Sequence, residues 1–210
     1  MKRCTLSGRR SPLRALALLV GLSAALAACQ SAGTGGASTS TKATTPAVAA
    51  ADPVEHGRYL VTVGACNDCH TPWKMGAQGP EPDMTRMLSG QPAKEVPPPA
   101  KLPDGWMMLV SATNTEFVGP WGTSYAANLT PDETGLASVT EEMFVKALRE
   151  GKHFGSGRPI LPPMPWNWYA KMTDDDLRAI WAYLRTIPPV ENVVPEAVPP
   201  AGAPGAPPAK

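Results

Sequence analysis

Cys66-Asn67-Asp68-Cys69-His70 sets two thiols three residues apart and an imidazole directly after the second. That order suits covalent attachment of a haem. Thiols at this spacing reach the two vinyl groups on one edge of a porphyrin, and the next residue is held under the iron, so His70 supplies the proximal ligand. The same pair of cysteines also fits a redox disulfide or half of a zinc site. A thioredoxin-like disulfide asks for a preceding strand within a parallel-sheet pattern, and neither is visible. Zinc asks for two further ligands at finger spacing, whereas His56 and His153 stand isolated. A single such motif predicts one covalent haem c, held by Cys66, Cys69 and His70.

An iron that keeps nearly the same six-coordinate geometry in both oxidation states needs a second axial ligand. Nine methionines are available. Met164 stands out because Ile160-Leu161-Pro162-Pro163-Met164-Pro165-Trp166 has three prolines that stiffen the backbone and deny it a helix. A stiff apolar loop can hold a thioether against the metal and exclude water. Met75, Met84, Met87, Met107 and Met108 lie in looser segments, Met143 is at a helix start, and Met172 immediately precedes a cap. Each of these suits a core gap-filler or a surface residue. His153 would give a bis-histidine iron, but it reads better as a cation at a helix C-terminus.

Three helices must carry these groups. Asp52-Pro53-Val54-Glu55 offers an N-cap carboxylate, a proline in the first helical position and a Glu three residues on for a capping box, predicting a helix from Pro53 to about Ala65 that delivers Cys66. A second helix starts at Thr140, with Phe144, Ala147 and Leu148 on one face and Gly151 as its stop. The third has Thr173 as cap, Asp174, Asp175 and Asp176 in the first turn, and an apolar stripe of Leu177, Ile180, Trp181 and Leu184, ended by Pro188-Pro189. Between Thr71 and Trp121 prolines and glycines are too dense for long regular elements, so this stretch is expected to wrap the core as ordered loop.

The chain has 210 residues, 25 of them Pro and 19 Gly, and its ends are unlike its middle. A basic start, an apolar run from Ala15 to Ala28 and the sequence Leu26-Ala27-Ala28-Cys29 resemble a bacterial lipoprotein signal spanning residues 1–28, after which Cys29 becomes the lipid-bearing residue. Residues 29–51 are expected to be a flexible linker, 52–189 the haem-bearing domain, and 190–210 a disordered Pro/Ala-rich tail. The formal charge of +1 includes five signal cations; from Cys29 onward 14 Lys and Arg face 18 Asp and Glu. A mildly acidic product with no basic run is a poor nucleic-acid binder. Nothing after residue 28 is long and apolar enough to span a bilayer, so the membrane is expected to be reached through the lipid.

Together, a helix, the Cys66–His70 motif, a loop region, a Pro-flanked Met and an amphipathic final helix resemble class I cytochromes c. The finer resemblance, covering about Pro53 to Pro189, is to the cytochrome domains of periplasmic alcohol and aldehyde dehydrogenase complexes, through Cys66–His70, Asn128-Leu129-Thr130-Pro131-Asp132, Met164-Pro165-Trp166 and the Asp176–Leu184 helix. Those proteins usually carry three haem motifs where this chain has one, and after Gly135 this chain has Ala137-Ser138-Val139 in place of Gly and an aromatic. The resemblance implies a mainly α, class I cytochrome c fold with N- and C-terminal helices packed around one covalent haem and a long Pro/Gly-rich insertion. It implies that the carbonyl of Gly119-Pro120, with Pro131 as rival, holds the second N–H of His70. Trp121, Tyr125 and Asn128 would cover or hydrogen-bond the propionates, and Gly57 with Tyr59 or Leu60 would cross Trp181, Tyr183 or Leu184.

The expected function is therefore non-enzymatic: an exported, lipid-anchored monohaem cytochrome c on the periplasmic side of the cell envelope, carrying single electrons between partners such as a periplasmic dehydrogenase and a terminal oxidase. The alternatives are an electron-accepting subunit of a dehydrogenase or oxidase complex, and a gas- or peroxide-reactive haem protein with a displaceable sixth ligand.

Overall fold

A computed structural model describes residues 52–200, 202 and 203. The expected signal at 1–28, the lipid site Cys29 and the linker 29–51 lie outside the described residues. The first helix, α1 (Pro53–Val63), begins as its sequence dictates: the Asp52 carboxylate accepts the Val54 N–H at 2.9 Å and Pro53 occupies the first turn. Glu55 does not close a capping box; it accepts from Arg58 Nε instead, at 2.9 Å. The helix also stops two residues earlier than expected, at Gly64 and Ala65, where Ala65 takes a left-handed φ of 57°. That break starts a separate five-residue helix, α2 (Cys66–His70), in a new direction.

The stretch expected to be loop contains two small antiparallel sheets. Strands β1 (Trp73–Gly76) and β2 (Gly79–Pro82) form a hairpin. Strands β3 (Leu109–Val110), β4 (Glu116–Gly119) and β5 (Gly122–Tyr125) form a three-stranded meander, with Glu116 facing Tyr125 and Phe117 facing Ser124. Strands of two to four residues leave almost no alternation to read, which is why the sequence concealed them. Next come α3 (Glu141–Glu150), ended by Gly151 at φ 65°, the short α4 (Trp166–Tyr169), and α5 (Asp174–Leu184). Helix α5 has a complete capping box between Thr173 and Asp176.

Helices α1 and α5 cross at Gly57. A Cβ there would run into the Ala179 carbonyl and Tyr183, so the hydrogen side chain sets how closely the helices approach. His56 Nε2 meets Asp176 Oδ1 at 2.7 Å beside the crossing. Beneath it Val61, Leu177 and Leu184 are fully buried with Leu88, and Phe144, Leu148, Leu136, Val139, Ile180 and Ile187 complete the core.

Of the tail expected over 190–210, residues 201 and 204–210 lie outside the described residues, and 190–200 depart from expectation. Val190 N–H donates to Thr130 Oγ1 at 3.1 Å and Asn192 N–H to Thr134 Oγ1 at 2.9 Å. Asn192 Nδ2 reaches the carbonyls of Ser89 and Gln91, and Val198 exchanges backbone hydrogen bonds with Thr123 on β5. Residues 190–200 are thus docked, because polar partners on the domain supply the bonds that a proline-rich segment cannot supply to itself. Truncation after Pro189 is expected to destabilise the protein by about 2–4 kcal/mol, from several part-buried hydrogen bonds at roughly 1 kcal/mol each. Thermal melts of the protein truncated after Pro189 and of the protein truncated after Pro200 check this; equal melting points would mean that residues 190–200 contribute no stability.

Candidate haem site

The Cys-x-x-Cys-His segment owes its shape to neighbours that bind its backbone. One turn of α2 separates Cys66 from Cys69, which sets both thiols on one side of the helix. The Asp68 carbonyl inside that turn accepts from Asn114 Nδ2 at 2.7 Å and from the Trp73 indole at 3.2 Å. Thr71 Oγ1 donates to Asn67 Oδ1 at 2.8 Å and accepts from Leu88 N–H at 2.9 Å. The His70 carbonyl accepts from Gly90 N–H, also at 2.8 Å. The motif is thereby tied to the chain on both of its sides.

His70 is buried, and its Nδ1 lies 2.8 Å from the Ala127 carbonyl oxygen. A carbonyl can only accept, so Nδ1 carries a proton, and in the neutral imidazole Nε2 then keeps its lone pair. Burial also pushes the imidazole pKa below its ordinary value, with the Ala127 bond opposing in part. The ring is therefore neutral and oriented, as a metal ligand must be. Ala127 corrects the expectation that Gly119-Pro120, or Pro131, would hold this ring. Pro120 is exposed at the β4–β5 turn, where the Trp121 ring covers Gly119.

Both thiols are raised by burial, Cys66 to about 11. A redox dithiol works through a stabilised thiolate, and this environment does the opposite. Nor do Cys66, Cys69 and His70 converge on one point: among the described residues no three His, Cys, Asp or Glu side chains are arranged to hold a metal ion. Thiols set apart from an oriented imidazole fit a broad, flat ligand with its metal at the centre, and this donor set fits haem c.

Met164 is half-buried and packs on the core beside α4, as do Leu60, Cys66, Met87, Leu129, Tyr169 and Met172. Met75, Met84 and Met107 are largely exposed. The Tyr169 hydroxyl donates to the Gly64 carbonyl, which brings the segment after Met164 to the residues just before Cys66. Burial, then the nearby Cys66 and Cys69, pushes that phenol up to about 12, so it remains a donor. Trp166 lies over Gly151, where a Cβ would strike its ring.

The remaining candidates divide. Asn128 is buried with its amide fully used: Nδ2 donates to Val190 O at 2.9 Å and Thr134 Oγ1 at 3.1 Å, while Oδ1 accepts from the Thr130 N–H and hydroxyl. It pins a turn and leaves nothing for a propionate, contrary to expectation. Tyr125 is half-buried opposite Glu116, and burial with that carboxylate raises its phenol. Glu116 is itself raised by burial, and its Oε2 has no partner among the described residues. Trp121 donates its indole N–H to Ser124 Oγ at 3.2 Å rather than outward. Sequence reasoning missed Ala127 and Ser124. A carbonyl acceptor has no residue signature, and a serine in a four-residue strand reads as surface.

No helix among the described residues is long and apolar enough to cross a membrane. No family model matches the chain. Curated relatives do. The chain is 31% identical over 131 residues to the cytochrome c subunit of a quinone alcohol dehydrogenase from Gluconobacter oxydans, covering 62% of this chain and 20% of that one. It is 29% identical over 154 residues to the fructose dehydrogenase cytochrome subunit of Gluconobacter japonicus, covering 72% and 25%. It is 30% identical over 131 residues to the gluconate 2-dehydrogenase cytochrome c subunit of Pantoea cypripedii, covering 62% and 22%. The chain spans a quarter or less of the length of these relatives, and all three are named as cytochrome subunits of dehydrogenases.

Proposed function

We propose that this chain is a monohaem c-type cytochrome of class I architecture that carries single electrons on the periplasmic side of a bacterial envelope. Its electrons would come from a dehydrogenase, and a lipid on Cys29 would anchor it. The observation that carries the reading is the His70 ring, buried and held through Nδ1 by the Ala127 carbonyl, which leaves Nε2 as the nitrogen that would ligate an iron. The α1–α5 crossing over the core supports the class I arrangement, and the names of the relatives support the dehydrogenase partner.

A haem c held here would supply one reversible electron between the ferric and ferrous states. The chain supplies everything else. The Cys66 and Cys69 thiols would hold the haem through thioether bonds to its two vinyl groups, an addition that needs no oxidant. His70 would ligate its iron, and Met164 would be the second protein ligand, whose thioether would favour a higher potential than an imidazole. A subunit role in a dehydrogenase complex is the closest variant of this reading, favoured by those same names.

Acid–acetone treatment of protein expressed with export and haem-attachment machinery tests the covalent claim. Colour is expected to remain on the wild-type polypeptide and to be lost from the Cys66→Ser/Cys69→Ser double variant. Haem extracted from the wild type would overturn the assignment.

A further inference from the structure

The Met164 loop has few ways to hold itself. Pro162, Pro163 and Pro165 have no N–H, so across Leu161–Pro165 the backbone offers mostly acceptors, and any anchor must be a donor brought from elsewhere. On the N-terminal side Ile160 N–H donates to Gly151 O at 2.7 Å. On the C-terminal side the Pro165 carbonyl accepts from Trp168 N–H at 2.9 Å as α4 begins. Between them, among the described residues, one side-chain donor reaches the loop. Ser124 Oγ lies 2.5 Å from the Pro162 carbonyl, two residues before the methionine.

Ser124 is built for that task. It is buried on β5, so its hydroxyl has little water to turn to. A hydroxyl has one hydrogen, and its alternative acceptor, Phe117 O, is 3.5 Å away, at the margin of a hydrogen bond. The Trp121 indole N–H, 3.2 Å from Ser124 Oγ, can only donate, so it occupies a lone pair and turns the hydroxyl hydrogen toward Pro162. The Trp121 ring is itself seated on Gly119, where a Cβ would collide with it. The relay runs from the β4–β5 turn through an indole and a hydroxyl into the ligand loop.

We propose that Ser124, oriented by Trp121, is the positioning residue that holds the Met164 loop in its iron-binding conformation. The inference rests on Met164 being the axial ligand. Its function is mechanical: with the Pro162 carbonyl tethered, the thioether stays in place against competitors such as hydroxide or a lysine amine. Without the tether the loop keeps its stiffness but loses its registration on the meander.

The test is the alkaline titration of the ferric Met–iron charge-transfer band in the intact haem-loaded protein. In Ser124→Ala the pH at which the band is lost is expected to fall by about one unit, a tenfold shift toward the exchanged form. Ser124→Thr, which retains the hydroxyl, should restore most of it. Trp121→Phe, which keeps a ring but removes the N–H, should show a smaller shift in the same direction, and it provides the readout if Ser124→Ala does not fold. A melting point that falls in Ser124→Ala while the band's midpoint stays at the wild-type value would show a purely structural serine and overturn the proposal. If the wild type has no such band, the Met164 ligand reading fails first and this inference with it. A wild-type band with unshifted variants defeats the positioning role alone.

Discussion

Gly57→Ala is expected to lower stability by about 3–5 kcal/mol, at the upper end of what single substitutions do. The added methyl would enter the Ala179 carbonyl and the Tyr183 side chain. Neither can rotate away, since one is backbone within α5 and the other a Cβ fixed to it. The helices must separate, and separation opens the contacts of Val61, Leu177 and Leu184 beneath the crossing. It also stretches the His56–Asp176 bond. With a total stability of roughly 5–15 kcal/mol for a domain, such a loss leaves little margin. Urea unfolding of the haem-loaded protein would measure it. A midpoint unchanged from wild type would mean that the helices do not approach as closely as described. Gly64→Ala, by contrast, meets the Leu60 carbonyl of its own helix end and tests a different contact.

Met164→Leu should act in the opposite sense, sparing the fold and changing the iron. Leucine approximately conserves volume, so the stability change should stay below about 1.5 kcal/mol. The ferric Met–iron band should vanish, reduced protein should bind carbon monoxide, and the potential should fall by on the order of 0.1 V or more, within the roughly 0.8 V that axial ligands govern. Met172→Leu is the control. Met172 also packs on the core, but its N–H closes the turn after α4 onto Tyr169 O at 3.0 Å, and it stands directly before the α5 cap. Its substitution should leave band and potential unchanged. If the two variants exchange these phenotypes, the axial ligand is Met172.

What could be read from the sequence was local. Asp52-Pro53 and Thr173 with Asp176 announce their helices because caps act within one turn. The Cys66–His70 spacing was read from haem chemistry, and the Gly57 crossing, which the structure contains, followed from the resemblance to class I cytochromes c. Contacts across the chain were not legible. The partner of His70 lies 57 residues away and is a carbonyl, which any residue could have supplied. Gly119-Pro120 looked suitable, but its turn is occupied by Trp121. Asn128 looked like a cofactor contact until Thr130, Thr134 and Val190 were seen to use its whole amide. The segment after Pro189 looked free because it has little apolar surface to offset chain entropy, yet its own donors, the Val190 and Asn192 N–H groups and the Asn192 amide, find acceptors on Thr130, Thr134, Ser89 and Gln91.

The central claim is a closed, six-coordinate, covalent haem site for outer-sphere electron transfer. Optical spectra of the purified wild-type protein, oxidised and reduced, the latter with and without carbon monoxide, test it most directly. A ferric Met–iron charge-transfer band and a reduced spectrum that carbon monoxide leaves unchanged are expected. A missing band, with prompt carbon monoxide binding by the reduced wild type, would contradict it and point to a gas- or peroxide-reactive iron instead.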